Sequence, residues 1–317
     1  MIQSGLADPR KTFGAAVHEV ARYNPDIVVL SADSGGSSGF KEFSLEYPER
    51  YHEFGIMEQG VMGIASGLAT TGKIPVFCAI APFVTCRPYE MFRNDVGYMR
   101  QNVKVVGRNA GISYSDLGST HHSLEDFAII RMIPGVVILA PQDPQEIRSS
   151  VKAMIEHDGP VYMRIGNNPI PHLFEEQPFE IGKGMVVHEG SDVTIITTGS
   201  VTGNALQARS ILKSKGVSAR LVAMPTVWPI DRELILDSAA KTRCIVTVEE
   251  HYVVGGLGTI VQEICSEASP IPVKKLGIPH IYAASGPYDA VLAHYGLDAD
   301  GIANDVLKFA EANKKGR

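Results

Sequence analysis

The sequence predicts an α/β protein made of two doubly wound α/β domains, and three observations carry that expectation. Short apolar runs such as Ile27-Val28-Val29-Leu30 and Val136-Val137-Ile138-Leu139-Ala140 read as strands buried on both faces of a parallel sheet. Helical patterns separate them, which is the rhythm of βα units. That rhythm lapses over 166–184, rich in Pro, Asn and Gly, and restarts at Val193-Thr194-Ile195-Ile196. With 317 residues, 44% of them hydrophobic, the chain can bury two cores. The expected division is a first domain over 1–170, a linker over 171–187 and a second domain over 188–317.

Taken in order, residues 9–23 place Phe13, Ala16, Val17 and Val20 on one helical face. The first strand ends in Ser31-Ala32-Asp33-Ser34-Gly35-Gly36-Ser37-Ser38-Gly39, a loop at a strand's carboxyl end, where open α/β sheets place ligands. A plain surface turn explains the same composition. A helix through Val61-Met62-Gly63-Ile64-Ala65 and a strand over 74–80 follow, and Pro82-Phe83 opens a helix expected to run through Tyr89, Phe92 and Val96. A strand over 103–107 leads through Arg108-Asn109-Ala110-Gly111 into a polar loop ending in Gly118-Ser119-Thr120-His121-His122-Ser123. A helix from about Leu124, a strand at 136–140, a helix over 145–157 and a strand over 161–165 complete the first domain. The second restarts at 193–198, with a helix to about Lys215, strands at 219–223 and 243–248, and Gly255-Gly256-Leu257-Gly258 leading a helix. That glycine turn lacks the G-x-G-x-x-G spacing of a dinucleotide loop.

Composition narrows the function. A formal charge of −6, with no basic block beyond Lys314-Lys315-Gly316-Arg317, argues against nucleic acid and anionic membrane as partners. Cys78, Cys86, Cys244 and Cys265 show no metal-ligand spacing and read as reduced thiols of a cytoplasmic protein. No signal-peptide pattern and no membrane-length apolar run are visible.

The stretch Phe54-Gly55-Ile56-Met57-Glu58-Gln59-Gly60 carries the chemistry. Glu58 stands at the start of a closely packed helix, where a carboxylate is costly unless hydrogen-bonded or protonated. An acid facing water at a helix N-terminus accounts for the spacing equally well. The stretch resembles the glutamate motif of the transketolase family of thiamine diphosphate enzymes. The resemblance implies that Glu58 holds the N1′ nitrogen of the cofactor's aminopyrimidine, with Ile56 and Met57 beside it. The shared proton favours the imino tautomer that can deprotonate the thiazolium C2. It further implies that Phe83 stacks on the aminopyrimidine, that Asp33 is a loop acid near the cofactor, and that His121 faces the reacting atoms and the sugar hydroxyls. His122 stands where related enzymes commonly carry Gln.

The same resemblance makes Arg10, Ser37, Asn109 and Arg164 a substrate-binding set for a sugar phosphate, together with His121. Guanidinium groups suit a tetrahedral anion. There are departures. Leu117 replaces an aspartate that reads a sugar hydroxyl, and Asn109 replaces a phosphate-binding His or Arg. Both point to an altered substrate: a branched, modified or sulfonated sugar. The family's Gly-Asp-Gly motif, which marks the Mg²⁺ and diphosphate site, does not occur in the sequence.

The expectation is therefore the C-terminal subunit of a split transketolase, a transferase of two-carbon ketol units. An N-terminal partner subunit would supply most of the Mg²⁺ site, the assembly would be α2β2, and the apolar stretch over 60–100 would be the docking face. Alternatives are a deoxyxylulose-phosphate-synthase-like chain, a 2-oxo-acid dehydrogenase beta-type subunit, and a non-catalytic structural or regulatory subunit.

Overall fold

Residues 5–314 are described by a computed structural model, so Lys315, Gly316 and Arg317 of the basic tail lie outside the described residues. The first sheet orders its strands Thr226–Trp228, Val137–Leu139, Val161–Arg164, Lys104–Arg108, Ile74–Ile80, Ile27–Ser31 and Tyr51–Glu53. Every pairing is parallel except that of Thr226–Trp228 with Val137–Leu139. Strands Ile27–Ser31, Lys104–Arg108 and Val161–Arg164 are buried at every position, so their centres read as apolar runs rather than alternating ones, with the polar residues Ser31, Lys104, Arg108 and Arg164 confined to their ends.

One face is covered by helices Pro9–Ala21 and Pro144–Glu156, through Phe13, Val17, Ile147, Val151 and Met154. The other is covered by Glu58–Ala69 and its neighbours, through Val61, Met62, Phe92 and Val96. The parallel order brings Ser31, Ile80, Arg108 and Arg164 to one sheet edge, and the candidate site lies along that edge. The second sheet runs Val273–Ile278, Ile245–Tyr252, Val193–Thr197, Ala219–Ala223 and Met185–His188, the last antiparallel.

Four details depart from the sequence reading. The helix expected through Val96 is broken: Ala81–Thr85 stops, Pro88 intervenes, and a short turn Tyr89–Met91 passes into the π-helix Phe92–Tyr98. Pro88 has no N–H to donate and its ring clashes with the preceding turn, so the two pieces take different axes. Second, the strand expected to end at Val248 continues to Tyr252. Third, Thr226–Trp228 crosses to the first sheet, and strand Met185–His188 begins inside the segment read as linker. Fourth, the apolar stretch over 60–100 is mostly its own domain's core, with Val61, Met62, Ala65, Phe92 and Val96 at 0% exposure. The apolar side chains left facing out nearby are Ile56, Met57, Tyr98 and Met99.

The strand extension matters because it drives Glu249, Glu250 and His251 into the domain junction. There Arg164 Nη1 donates to Asp126 Oδ1 at 3.1 Å, Arg164 Nη2 donates to the Glu250 carbonyl, and the Tyr162 hydroxyl donates to Asp126 Oδ2 at 2.7 Å. Phe127 packs against both, with the Arg164 guanidinium 4.5 Å from its ring centroid and the His251 ring stacked at 5.2 Å. Glu249 accepts the N–H groups of Leu257 and Gly258 at 2.7 Å each. The helix N-terminus behind Gly255-Gly256-Leu257-Gly258 is thus filled by the chain's own carboxylate, which accounts for the glycines without a nucleotide: a Cβ at Gly256 would strike that carboxylate.

Burial pushes the carboxyls of Glu249 and Glu250 up to about 7 and that of Glu146 up to about 8, from an ordinary 4.5. The folded state therefore binds more protons than the unfolded one from pH 4.5 upward. These groups stabilise most below pH 4.5, and the contribution is lost as pH rises to about 8. His251, pushed down to about 4 by burial, acts in the opposite sense and only below its ordinary 6.5. The urea midpoint of the chain should accordingly fall from pH 6.5 to about 7.5, and Glu250→Gln should flatten the fall. Above that Lys104, pushed down to about 7 by burial, acts in the opposite sense as pH climbs toward its ordinary 10.5, and the midpoint should turn upward. A midpoint that rises between pH 6.5 and about 7.5 would contradict this reading of the junction.

Candidate active site

Glu58 is the first residue of helix Glu58–Ala69 and is 3% exposed. Met57, the N-cap, offers no side-chain acceptor, and Gly55 turns the chain into the helix with φ of +70°. The carboxylate is not left alone. Arg87 Nη1 donates to Glu58 Oε2 at 2.8 Å, and Gln59 Nε2 holds the Arg87 carbonyl at 3.1 Å. The Arg87 guanidinium also lies over the Phe83 ring, 3.9 Å from its centroid. One flat, nitrogen-bearing group thus spans the Glu58 oxygen and the Phe83 face at once. Sequence reasoning missed Arg87, and its only signal was an arginine one residue before the helix-breaking Pro88.

His121 meets Phe83 edge-on at 5.2 Å and Tyr114 at 5.6 Å, while its Nδ1 is 2.9 Å from Thr120 Oγ1. Glu58, Phe83 and His121 therefore stand side by side along the sheet edge. Ile56 and Met57 flank Glu58 with their side chains exposed. Asp33 sits in the left-handed region (φ 55°) with its side chain outward. Its backbone N–H donates to Glu53 Oε1 at 2.6 Å, and the same carboxylate accepts from Gly55 N–H at 3.3 Å. Burial alone would raise Glu53, but these donors with Ser31 and Tyr51 hold it below the usual range. Glu53, unremarked in the sequence, ties the Gly-Ser loop to the glutamate motif.

The expected anion residues divide. Arg10 is half-buried and turned to Asp8, with contacts of 3.2 and 3.0 Å. Ser37 is exposed and its hydroxyl donates to the Ser34 carbonyl at 3.0 Å. Asn109, buried with φ of 56°, accepts from Arg108 Nη1 at 3.1 Å. Arg108 Nε in turn donates to Ser38 Oγ in the Gly-Ser loop at 3.0 Å. Arg164 does not join them: it is 7% exposed and engaged by Asp126 and Glu250 at the domain junction. His122 is 3% exposed with neither ring nitrogen hydrogen-bonded among the described residues, and burial lowers its pKa. Leu117 is 48% exposed.

The second domain holds the loop that carries His121. Glu250 Oε1 accepts from Ile112 N–H at 2.7 Å, Ser119 Oγ donates to the Ala283 carbonyl at 2.8 Å, and Gly286 N–H donates to the Ser115 carbonyl at 3.2 Å. Gly111, at φ 65°, leaves no room for a Cβ between Glu250 and Arg164.

This architecture has known counterparts. The transketolase pyrimidine-binding domain model matches residues 7–170, and the transketolase C-terminal domain model matches residues 182–302. The chain is 40% identical over 304 residues to a subunit of the apulose-4-phosphate transketolase of Phocaeicola vulgatus, covering 95% of this chain and 97% of that one. It is 36% identical over 303 residues to the 6-deoxy-6-sulfo-D-fructose transketolase subunit SqwH of a Clostridium species, covering 95% and 94%. A solved split gene transketolase, described as an inactive beta4 tetramer, superposes with a TM-score of 0.90 at 40% identity, covering 97% of this chain and 99% of that one. By contrast, the chain spans about half (49%) of a 1-deoxy-D-xylulose-5-phosphate synthase from Geobacter sulfurreducens at 36% identity. The chain belongs to the transketolase family, and its pyrimidine-binding and C-terminal domains align end to end with the subunits of split transketolases.

Proposed function

We propose that this chain is the C-terminal subunit of a thiamine diphosphate-dependent transketolase, moving a two-carbon ketol unit between sugar phosphates in assembly with an N-terminal subunit. The observation that carries the reading is the alignment of a buried Glu58 oxygen with the Phe83 face and the His121 edge. The fit is physical. Arg87, a planar donor, already bridges Glu58 and Phe83, so an aminopyrimidine that displaces it finds an acceptor and a stacking face at the right separation. When bound, thiamine diphosphate supplies the electron sink for the carbon–carbon chemistry.

The chain's own residues do the rest. Glu58 Oε2 holds a proton against the ring nitrogen, and its burial excludes the water that would otherwise take that place. With Nδ1 engaged by Thr120, His121 has Nε2 free to exchange a proton with a substrate hydroxyl. Arg10, Ser37 and Asn109 lie toward the substrate's anionic end. Arg164, expected in that group, serves the fold instead. Leu117 in place of a hydroxyl-reading acid supports an altered sugar, branched, modified or sulfonated. The diphosphate and Mg²⁺ fall to the N-terminal partner in an α2β2 assembly. Free Cys78, Cys86, Cys244 and Cys265 suit the cytoplasm.

Reconstitution tests this. The chain mixed with its N-terminal partner, thiamine diphosphate and Mg²⁺ should transfer ketol units across a panel of sugar phosphates, and neither chain should do so alone. Tight cofactor binding by this chain alone would overturn the divided site.

A further inference from the structure

We propose that Arg108 grips the terminal tetrahedral oxyanion of the substrate and so determines which sugars the site accepts. This rests on the transketolase reading above. Arg108 ends the central strand Lys104–Arg108 at the carboxyl edge of the sheet and is 5% exposed. Two of its five N–H donors are engaged among the described residues, and both acceptors are neutral: Ser38 Oγ and Asn109 Oδ1. No carboxylate pairs with it among the described residues. The charged or ionisable groups acting on it are Cys78, Tyr114 and Arg10, and Arg10 is repulsive. Burial disfavours its charge; Cys78 and Tyr114 oppose that without outweighing it, and no carboxylate does so among the described residues.

Other arginines of this protein behave differently. Arg164 meets Asp126, Arg220 meets Glu189 and Asp237, Arg243 meets Asp192, Arg87 meets Glu58, and Arg10 itself is neutralised by Asp8. Lys104, four residues earlier on the same strand, shows how a buried amine is satisfied when its role is structural: burial pushes it down to about 7 against the opposing pull of Asp158. Its three donors go to Asn102 Oδ1, the His157 carbonyl and the Gly159 carbonyl, at 2.5, 2.6 and 2.8 Å. Arg108 has donors to spare and no such cage.

Its position gives those donors a use. Arg108 is bonded to the Gly-Ser loop through Ser38, next to the exposed Ser37 hydroxyl. It lies within electrostatic reach of Tyr114, whose ring packs on His121 at 5.6 Å. A substrate with its reacting carbons at His121 thus reaches past Tyr114 to place its far end beside Arg108. A guanidinium with free Nη donors matches two oxygens of a phosphate or a sulfonate, and this anion supplies the missing counter-charge. The arginine at 108, with Asn at 109, also resolves the departure seen in the sequence: the cation stands one residue earlier, on the strand rather than on the left-handed residue that follows it.

The test uses the enzyme reconstituted with its N-terminal subunit, comparing wild type with Arg108→Met and Arg108→Lys. Acceptors are D-glyceraldehyde 3-phosphate, its 3-deoxy-3-sulfo counterpart and neutral D-glyceraldehyde. Arg108→Met should raise KM for the anionic acceptors about 30-fold more than for the neutral one, and Arg108→Lys should recover part of the loss. The wild-type preference between the first two acceptors identifies phosphate or sulfonate as the source of the anion. Equal losses on all three would assign Arg108 a structural role and overturn the proposal. Thermal unfolding of the purified full chain gives a readout independent of turnover. Millimolar inorganic phosphate or sulfate should raise the wild-type Tm and leave Arg108→Met unmoved, and an equal shift in both would also overturn it. If the wild-type complex transfers no ketol unit while the anion shift still depends on Arg108, the reaction assignment fails and the anion site stands.

Discussion

Replacing Glu58 with glutamine should lower ketol transfer by the assembled enzyme about 100- to 10,000-fold, the usual range for removing a positioned proton-transfer group. The substitution isolates chemistry from folding. The introduced amide would keep an oxygen to accept from Arg87 and nearly the same volume at a site 3% exposed. The ion pair it removes joins a 4% exposed carboxylate to an Arg87 side chain 39% exposed, so water solvates the guanidinium end, and the amide oxygen keeps the hydrogen bond at the buried end. Unfolding by urea should therefore be nearly unchanged while kcat collapses. Activity retained by this variant in the reconstituted complex would rule out the catalytic assignment, and a lost fold would make the carboxylate structural instead.

Asp126→Asn should destabilise the chain by about 3–5 kcal/mol, the range for breaking one partner of a buried ion pair. Asp126 is 0% exposed and takes the Arg164 guanidinium on one oxygen and the Tyr162 hydroxyl on the other. An amide leaves Arg164 charged and buried, and it sets an NH₂ donor against one of two existing donors. Arg164→Met should be of similar size, and the double variant should lose less than the sum, because the pair rather than either member is what the fold requires. This experiment also separates two roles for Arg164. Loss of a substrate-gripping arginine would raise KM with little change in stability. The geometry predicts the reverse, a fall in the urea midpoint with any kinetic effect following from a loosened His121 loop.

Much of the fold was legible because it rests on local pattern. Strands buried on both faces are apolar through their centres, so the central strands announce themselves even though Lys104, Arg108 and Arg164 stand at their ends. Helix Pro144–Glu156 is marked at its start by the N-cap Asp143, which accepts from Glu146 N–H at 2.7 Å, and by Pro144 at the first position. Edge elements were not legible. Tyr51–Glu53 is only half-buried or exposed, and Thr226–Trp228 is a strand only because another domain's edge accepts it. Short segments take their state from their neighbours, and their composition does not carry that information.

The site divides along the same line. Glu58, Phe83 and His121 could be named from the sequence because each sits in a short stretch whose residues also set its backbone: a glycine turn into a helix, a proline-started helix, a glycine-led loop. What the sequence by itself determined was the family and the order of its two domains; these three positions it named as candidates, which the fold brings to one sheet edge. What only tertiary structure decided was the pairing of charges. Arg10, Arg87, Arg108 and Arg164 are alike as letters. The fold gives the first Asp8, the second Glu58, the fourth Asp126, and the third no counter-ion among the described residues. Whether a long cationic side chain binds substrate or braces the core depends on which acceptor the folded chain brings within about 3 Å, and those acceptors come from elements 2 to 38 residues away in the sequence.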